Sequence, residues 1–156
     1  MLVSSHSVKD TLRIGTSIAG NLAGGDIICL FGDLGSGKTV LTKGIAHGLG
    51  IEEANVISPS FVLVREHYKG RLPLFHFDLY RLKEPGDLAA IGYEEYFYDE
   101  GIAVIEWAER LGCLLPKEFL RVDLVFRNES TRTLKLTSVG KRYEILMERL
   151  REVISH

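Results

Sequence analysis

Residues Gly32 to Thr39 read G-D-L-G-S-G-K-T and fit the Walker A pattern G-x-x-x-x-G-K-[ST] without a mismatch. The run before it, Asp26 to Phe31 (D-I-I-C-L-F), is apolar enough for a buried strand. After it, Leu41, Ile45 and Leu49 recur at helical spacing, so the context is strand, loop, helix, as the motif requires. Gly32, Gly35 and Gly37 permit backbone conformations and close approaches that a Cβ would block, which lets successive N–H groups converge on a polyphosphate at the positive end of the following helix. In that geometry Lys38 reaches the β and γ phosphates and the Thr39 hydroxyl binds Mg²⁺.

Working outward, an apolar strand ending in an acid recurs twice. L-P-L-F-H-F-D leads to Asp78, a Walker B-like arrangement expected to place a carboxylate beside the phosphate loop. G-I-A-V-I-E-W, from Gly101 to Trp107, ends in Glu106. In a parallel α/β sheet ligands collect at the carboxyl ends of strands, so both acids are expected at one phosphate site, one holding Mg²⁺ and the other orienting or activating water. Trp107 is read either as stacking on a base or capping the site, or as a buried structural indole. His76, two residues before Asp78 and on the same strand face, reads either as orienting that acid or as a core histidine, and is assigned no catalytic role.

Between these elements, Ser58-Pro59-Ser60 interrupts two β-prone pieces. It is read either as a switch, with Ser60 sensing the γ-phosphate or its metal, or as a proline turn capped by serines. Lys69-Gly70 marks a turn between Phe61–Tyr68 and Leu72–Tyr80, a hairpin pattern. Phe119 to Arg127 and Thr131 to Ser138 alternate around N-E-S as a second antiparallel hairpin, on which Arg132 and Lys135 read either as charges near nucleotide or partner or as solvated charges. Helices are expected from Ser7 to about Gly24, briefly within Glu84 to Gly92, and from Lys141 to Ile154, where Tyr143, Met147, Leu150 and Ile154 form one stripe. The aromatic, acidic stretch Gly92 to Tyr98 is helical or irregular.

The 156 residues are 46% hydrophobic and 26% charged with a formal net charge of −2, which describes one ordinary domain, 1–156. That charge gives no general attraction to nucleic acid, so RNA contact is expected to go through a partner. With no apolar run of spanning length and no signal-peptide pattern in M-L-V-S-S-H-S, no membrane role and a cytoplasmic location are expected. Cys29 and Cys113 make neither a zinc pattern nor a disulfide framework and read as structural thiols.

Together, G-D-L-G-S-G-K-T, S-P-S-F, H-F-D-L-Y-R and I-E-W, in this order and at these separations, resemble the small bacterial ATPase family TsaE, also called YjeE. The resemblance runs over nearly the whole chain, and H-F-D-L-Y-R and I-E-W are more specific than the Walker A motif. It implies an ATP and Mg²⁺ site made by Leu34, Gly35, Ser36, Gly37, Lys38 and Thr39, with Asp78 and Glu106 as its acids and a switch at Ser58 to Ser60. It also implies association with the TsaB–TsaD pair in threonylcarbamoyladenosine modification of tRNA, ATP hydrolysis supporting turnover of that complex. The chain departs from the family at Ser60, where threonine is usual and a hydroxyl survives.

The expected fold is α/β, a P-loop domain with a central mixed, mostly parallel sheet, antiparallel hairpins and flanking helices. The expected chemistry is attack of water on the γ-phosphate, with no residue announcing itself as an arginine finger, hence slow hydrolysis alone and dependence on partners. The alternatives are a nucleotide-gated binding module, a P-loop small-molecule kinase, which needs a basic lid that is not obvious here, and a GTPase, for which no N-K-x-D or T-K-x-D segment exists.

Overall fold

A computed structural model describes residues 1–98 and 100–154. The strands are β1 (Leu2–Ser5), β2 (Ile27–Phe31), β3 (Val64–His67), β4 (Leu74–Asp78), β5 (Ile102–Glu106), β6 (Phe119–Phe126) and β7 (Arg132–Val139). The helices are α1 (Val8–Ala19), α2 (Lys38–Gly48), α3 (Gly86–Ala89), α4 (Tyr93–Phe97) and α5 (Lys141–Val153), with 3₁₀ turns at Glu53–Asn55 and Ala108–Leu114.

All seven strands join one sheet in the order β1-β7-β6-β2-β5-β4-β3. Around β2 the pairing is parallel, to β5 on one side and β6 on the other, and β5 is parallel to β4. The outer pairs β3/β4, β6/β7 and β1/β7 are antiparallel. The fold is therefore the mixed α/β P-loop arrangement expected from the sequence. Two details differ. The sheet has as many antiparallel as parallel pairings, three of each, where mostly parallel pairing is expected, and β1 is an edge strand that the sequence reading does not include.

Strand periodicity sorts the side chains into two cores. Ile28 and Leu30 of β2, Leu74 of β4, and Ile102 and Val104 of β5 pack with Ile14, Ile18, Leu41, Ile45 and Leu150 on the face covered by α1, α2 and α5. The alternate residues Cys29, Phe75, Phe77, Ala103 and Ile105 pack on the opposite face with Leu88, Phe97 and Leu111. Continuing that alternation by two residues puts His76, Asp78 and Glu106 on the α2 face. Cys29 is buried, which pushes its thiol pKa up, whereas Cys113 is exposed and so is not the structural thiol expected of it.

Helix α1 starts where Ser7 Oγ accepts the Asp10 N–H at 3.0 Å and the Asp10 carboxylate accepts the His6 N–H at 3.0 Å. It ends at Ala19, earlier than the expected Gly24. The stripe of α5 is buried as the spacing predicts, and Tyr143 Oη accepts the buried Ile27 N–H at 2.8 Å, tying α5 to β2. Helices α1 and α2 touch backbone to backbone at Gly44, where an added Cβ would stand 2.4 Å from the Leu12 carbonyl oxygen.

That approach sets an expectation for stability. Gly44→Ala should destabilise the protein by about 1–3 kcal/mol, the range for overpacking a close-packed interior. By contrast Gly20→Ala, at φ −62° and with no neighbour nearer than 3.7 Å, should be neutral or mildly stabilising. Urea unfolding midpoints of the two variants check this, and equal midpoints would contradict the close-contact reading.

Candidate active site

The phosphate loop turns between β2 and α2 through Gly35 at φ +81° and Gly37 at φ +105°, conformations that side-chain-bearing residues rarely adopt. Around Gly35 a Cβ would meet nothing within 4 Å, so the loop's outer side is open space. Lys38 curls back into its own loop, where Nζ donates to the carbonyls of Gly32 at 2.5 Å and Asp33 at 2.9 Å. The indole of Trp107 lies over it, 3.9 Å from Nζ to the ring centroid. Burial pushes the Lys38 ammonium below its ordinary pKa, and Glu106, Glu109, Asp78 and Asp33 oppose that shift.

The two acids meet as their strands end. Asp78 and Glu106 are directly paired across β4 and β5, and both are buried. Glu106 Oε1 accepts the Thr39 hydroxyl at 2.8 Å, and Oε2 faces His76 Nε2. Asp78 Oδ1 accepts the Tyr80 N–H at 3.0 Å, while Oδ2 accepts the Ser58 hydroxyl. Trp107 follows at φ +58°, a left-handed turn that folds the indole back toward the loop, where it also stacks against Tyr80 with centroids 5.0 Å apart.

These groups surround a cavity of about 370 Å³. Of the residues named from the sequence, Leu34, Gly35, Gly37, Lys38, Thr39, Ser60, Asp78, Glu106 and Trp107 line it. Ser36 does not: it is buried, and its N–H bonds the Asp33 carbonyl at 3.1 Å. In the S-P-S loop it is Ser58 that reaches Asp78, with Ser60 on the wall. Trp107 is half-buried over Lys38, so of its two readings the cap describes its position. Of the two readings of Arg132, its position fits the one near the site: it lines the cavity, with Nη2 3.4 Å from the Gly35 carbonyl. A larger cavity of about 530 Å³, bordered by Tyr93, Lys117 and Arg142, contains none of the motif residues.

The oxygen atoms fit a small hard cation. Thr39 Oγ1 and Glu106 Oε1 already lie in contact, and Asp78 stands beside them in register, giving hydroxyl and carboxylate donors of the kind that Mg²⁺ takes together with water and phosphate. Opposite the acids stand Lys38 and the N-terminus of α2, a donor set suited to an anion. The arrangement suits a metal-chelated polyphosphate.

The family model described as threonylcarbamoyl adenosine biosynthesis protein TsaE matches residues 5–134. The chain is similar to the tRNA threonylcarbamoyladenosine biosynthesis protein TsaE of Bacillus subtilis, 39% identical over 142 residues, 91% of this chain and 88% of that one. A protein of the same name from Treponema pallidum is 43% identical over 120 residues, 77% of this chain and 87% of that one. Among solved structures, the crystal structure of Bacillus subtilis YdiB superposes with a TM-score of 0.83 at 35% identity, covering 98% of this chain and 95% of that one. With the family model matched over residues 5–134 and relatives of 39% and 43% identity along most of their length, the chain belongs to the TsaE family.

Proposed function

We propose that this protein hydrolyses ATP in the cavity between α2 and the ends of β4 and β5. We further propose that this hydrolysis supports turnover of the TsaB–TsaD complex in threonylcarbamoyladenosine modification of tRNA. The observation that carries the reading is the convergence on one phosphate loop of Thr39, Glu106 and Asp78, two of them already in hydrogen-bond contact.

In this reading the triphosphate enters along Leu34 to Thr39, and Lys38 exchanges the Gly32 and Asp33 carbonyls for phosphate oxygens. Thr39, Glu106 and Asp78 would hold Mg²⁺, which when bound neutralises phosphate charge. A water oxygen attacks the γ-phosphorus and the bond to the β–γ bridging oxygen breaks, leaving ADP with the electron pair. The water's proton passes to a carboxylate or to the phosphate itself. Lys38 and the loop N–H groups stabilise the charge that builds on the transferring phosphoryl group. Trp107 and Tyr80 shield the site from bulk water on one side, and Ser58 links the S-P-S loop to the acid beside the γ-phosphate, which suits a switch. Ser60, on the same wall, is placed within the loop that would close over that phosphate.

The partner assignment has its support in the family and in composition. The relatives carry the name of a tRNA modification pathway, while the net charge of −2 offers no general attraction to RNA. Contact with tRNA is therefore assigned to the partner complex. No helix among the described residues is long and apolar enough to cross a membrane, and a role in tRNA modification is the support for the cytoplasmic location in this reading.

Three variants check the chemistry. Lys38→Ala should lose ATP affinity. Glu106→Gln should keep nucleotide binding yet lose phosphate release by a hundredfold or more, on the order of the cost of removing an essential catalytic group. Arg132→Ala should weaken nucleotide binding several-fold, roughly the worth of one charge-assisted contact. Calorimetric affinity and free-phosphate assays read all three, and normal hydrolysis by Glu106→Gln would contradict the assignment. Phosphate release by the isolated chain should also be slow and should change when the TsaB–TsaD pair is added; a brisk rate indifferent to that pair would contradict partner control.

A further inference from the structure

Glu106 is 1% exposed, so water does little to fix its carboxylate. The last torsion of a glutamate is broad and roughly two-fold, and a carboxylate held by one oxygen can still turn. Here each oxygen has its own donor: Oε1 takes the Thr39 hydroxyl at 2.8 Å, and Oε2 takes His76 Nε2. Thr42 Oγ1 also lies 3.4 Å from Oε2, but its single proton has a shorter partner in the Lys38 carbonyl at 2.9 Å. The hold on Oε2 therefore comes from the histidine.

His76 is itself a costly residue to bury. Its ring has 0% exposure, and among the described residues Nδ1 has no hydrogen-bond partner. A carboxylate oxygen only accepts, so in this contact Nε2 is the donor. An apolar side chain would fill the same space between Leu74, Val104 and α2 without that cost. A locally unfavourable choice of this kind points to function.

We infer that His76 is a positioning residue for Glu106, fixing the plane of the carboxylate so that Oε1 stays on Thr39. The device works through the sheet. His76 pairs with Val104 in the β4/β5 register, which makes it the diagonal neighbour of Glu106 on the same face. The adjacent acid is not its target, because both oxygens of Asp78 are taken by Ser58 and the Tyr80 N–H. This inference rests on the reading of Glu106 as an acid of the hydrolytic site, and it gives His76 no contact with substrate.

The test compares two amides that differ in reach. The Gln side chain can bring an N–H to the position of Nε2, and Asn is too short to do so. His76→Asn should lower kcat by about 10- to 100-fold, the usual cost of losing a residue that orients a site ligand, with ATP affinity changed less than about threefold. His76→Gln should recover most of that loss. A second readout needs no nucleotide: in thermal unfolding of the free protein, the fall in Tm from His76→Asn should shrink markedly in a Glu106→Gln background, because the two side chains are coupled.

Equal kcat in the Asn and Gln variants, or Tm losses that simply add, would overturn the positioning role. If Glu106→Gln hydrolyses ATP normally, the hydrolytic reading fails. If Glu106→Gln is inactive while His76→Asn works at the wild-type rate, only the inference about His76 fails.

Discussion

The contact between the Thr39 hydroxyl and the Glu106 carboxylate, 2.8 Å long, joins the first turn of α2 to the end of β5, and the site depends on it. It requires β5 to be the immediate parallel neighbour of β2, since only then does the acid end its strand level with the phosphate loop. The register Leu30↔Glu106 supplies that condition. Burial makes the contact consequential: an ionised carboxylate this far from water is tolerable only when both oxygens are hydrogen-bonded. Thr39 and His76 meet the requirement from two different elements.

The rest of the architecture serves this arrangement. Parallel pairing of β2, β4 and β5 brings their carboxyl ends to one edge, and strand alternation turns His76, Asp78 and Glu106 toward α2. Lys38 faces the acids from the helix side and satisfies its ammonium on loop carbonyls beneath Trp107. An anion entering the loop must compete with those internal bonds.

Much of this was legible in the sequence, because it is encoded locally. The G-D-L-G-S-G-K-T loop, the apolar strands ending in Asp78 and Glu106, and both hairpins follow from motif spacing and periodicity. What escaped depends on partners distant in the chain. Edge strand β1 is four residues long and exists through pairing with β7. Insertion of β5 between β2 and β4 is a matter of strand order, on which periodicity is silent. His76 carries two readings, and its complete burial agrees with the core one, but its contact with an acid thirty positions later could not be seen from one strand. The two readings of Arg132 are not separable in sequence because nothing near it reveals that the β6/β7 hairpin ends over Gly35. Within S-P-S, the choice between Ser58 and Ser60 rests on loop geometry that the letters do not determine.

The most direct measurement is a crystal structure of the protein with a non-hydrolysable ATP analogue and Mg²⁺. The expected result has the triphosphate on the N–H groups of Leu34 to Thr39 and Lys38 Nζ moved from the Gly32 and Asp33 carbonyls to phosphate oxygens. Thr39 and at least one of Glu106 and Asp78 should then hold the cation directly or through water. An analogue seated elsewhere, with Lys38 still folded onto its own loop and both carboxylates far from the metal, would contradict hydrolysis at this site.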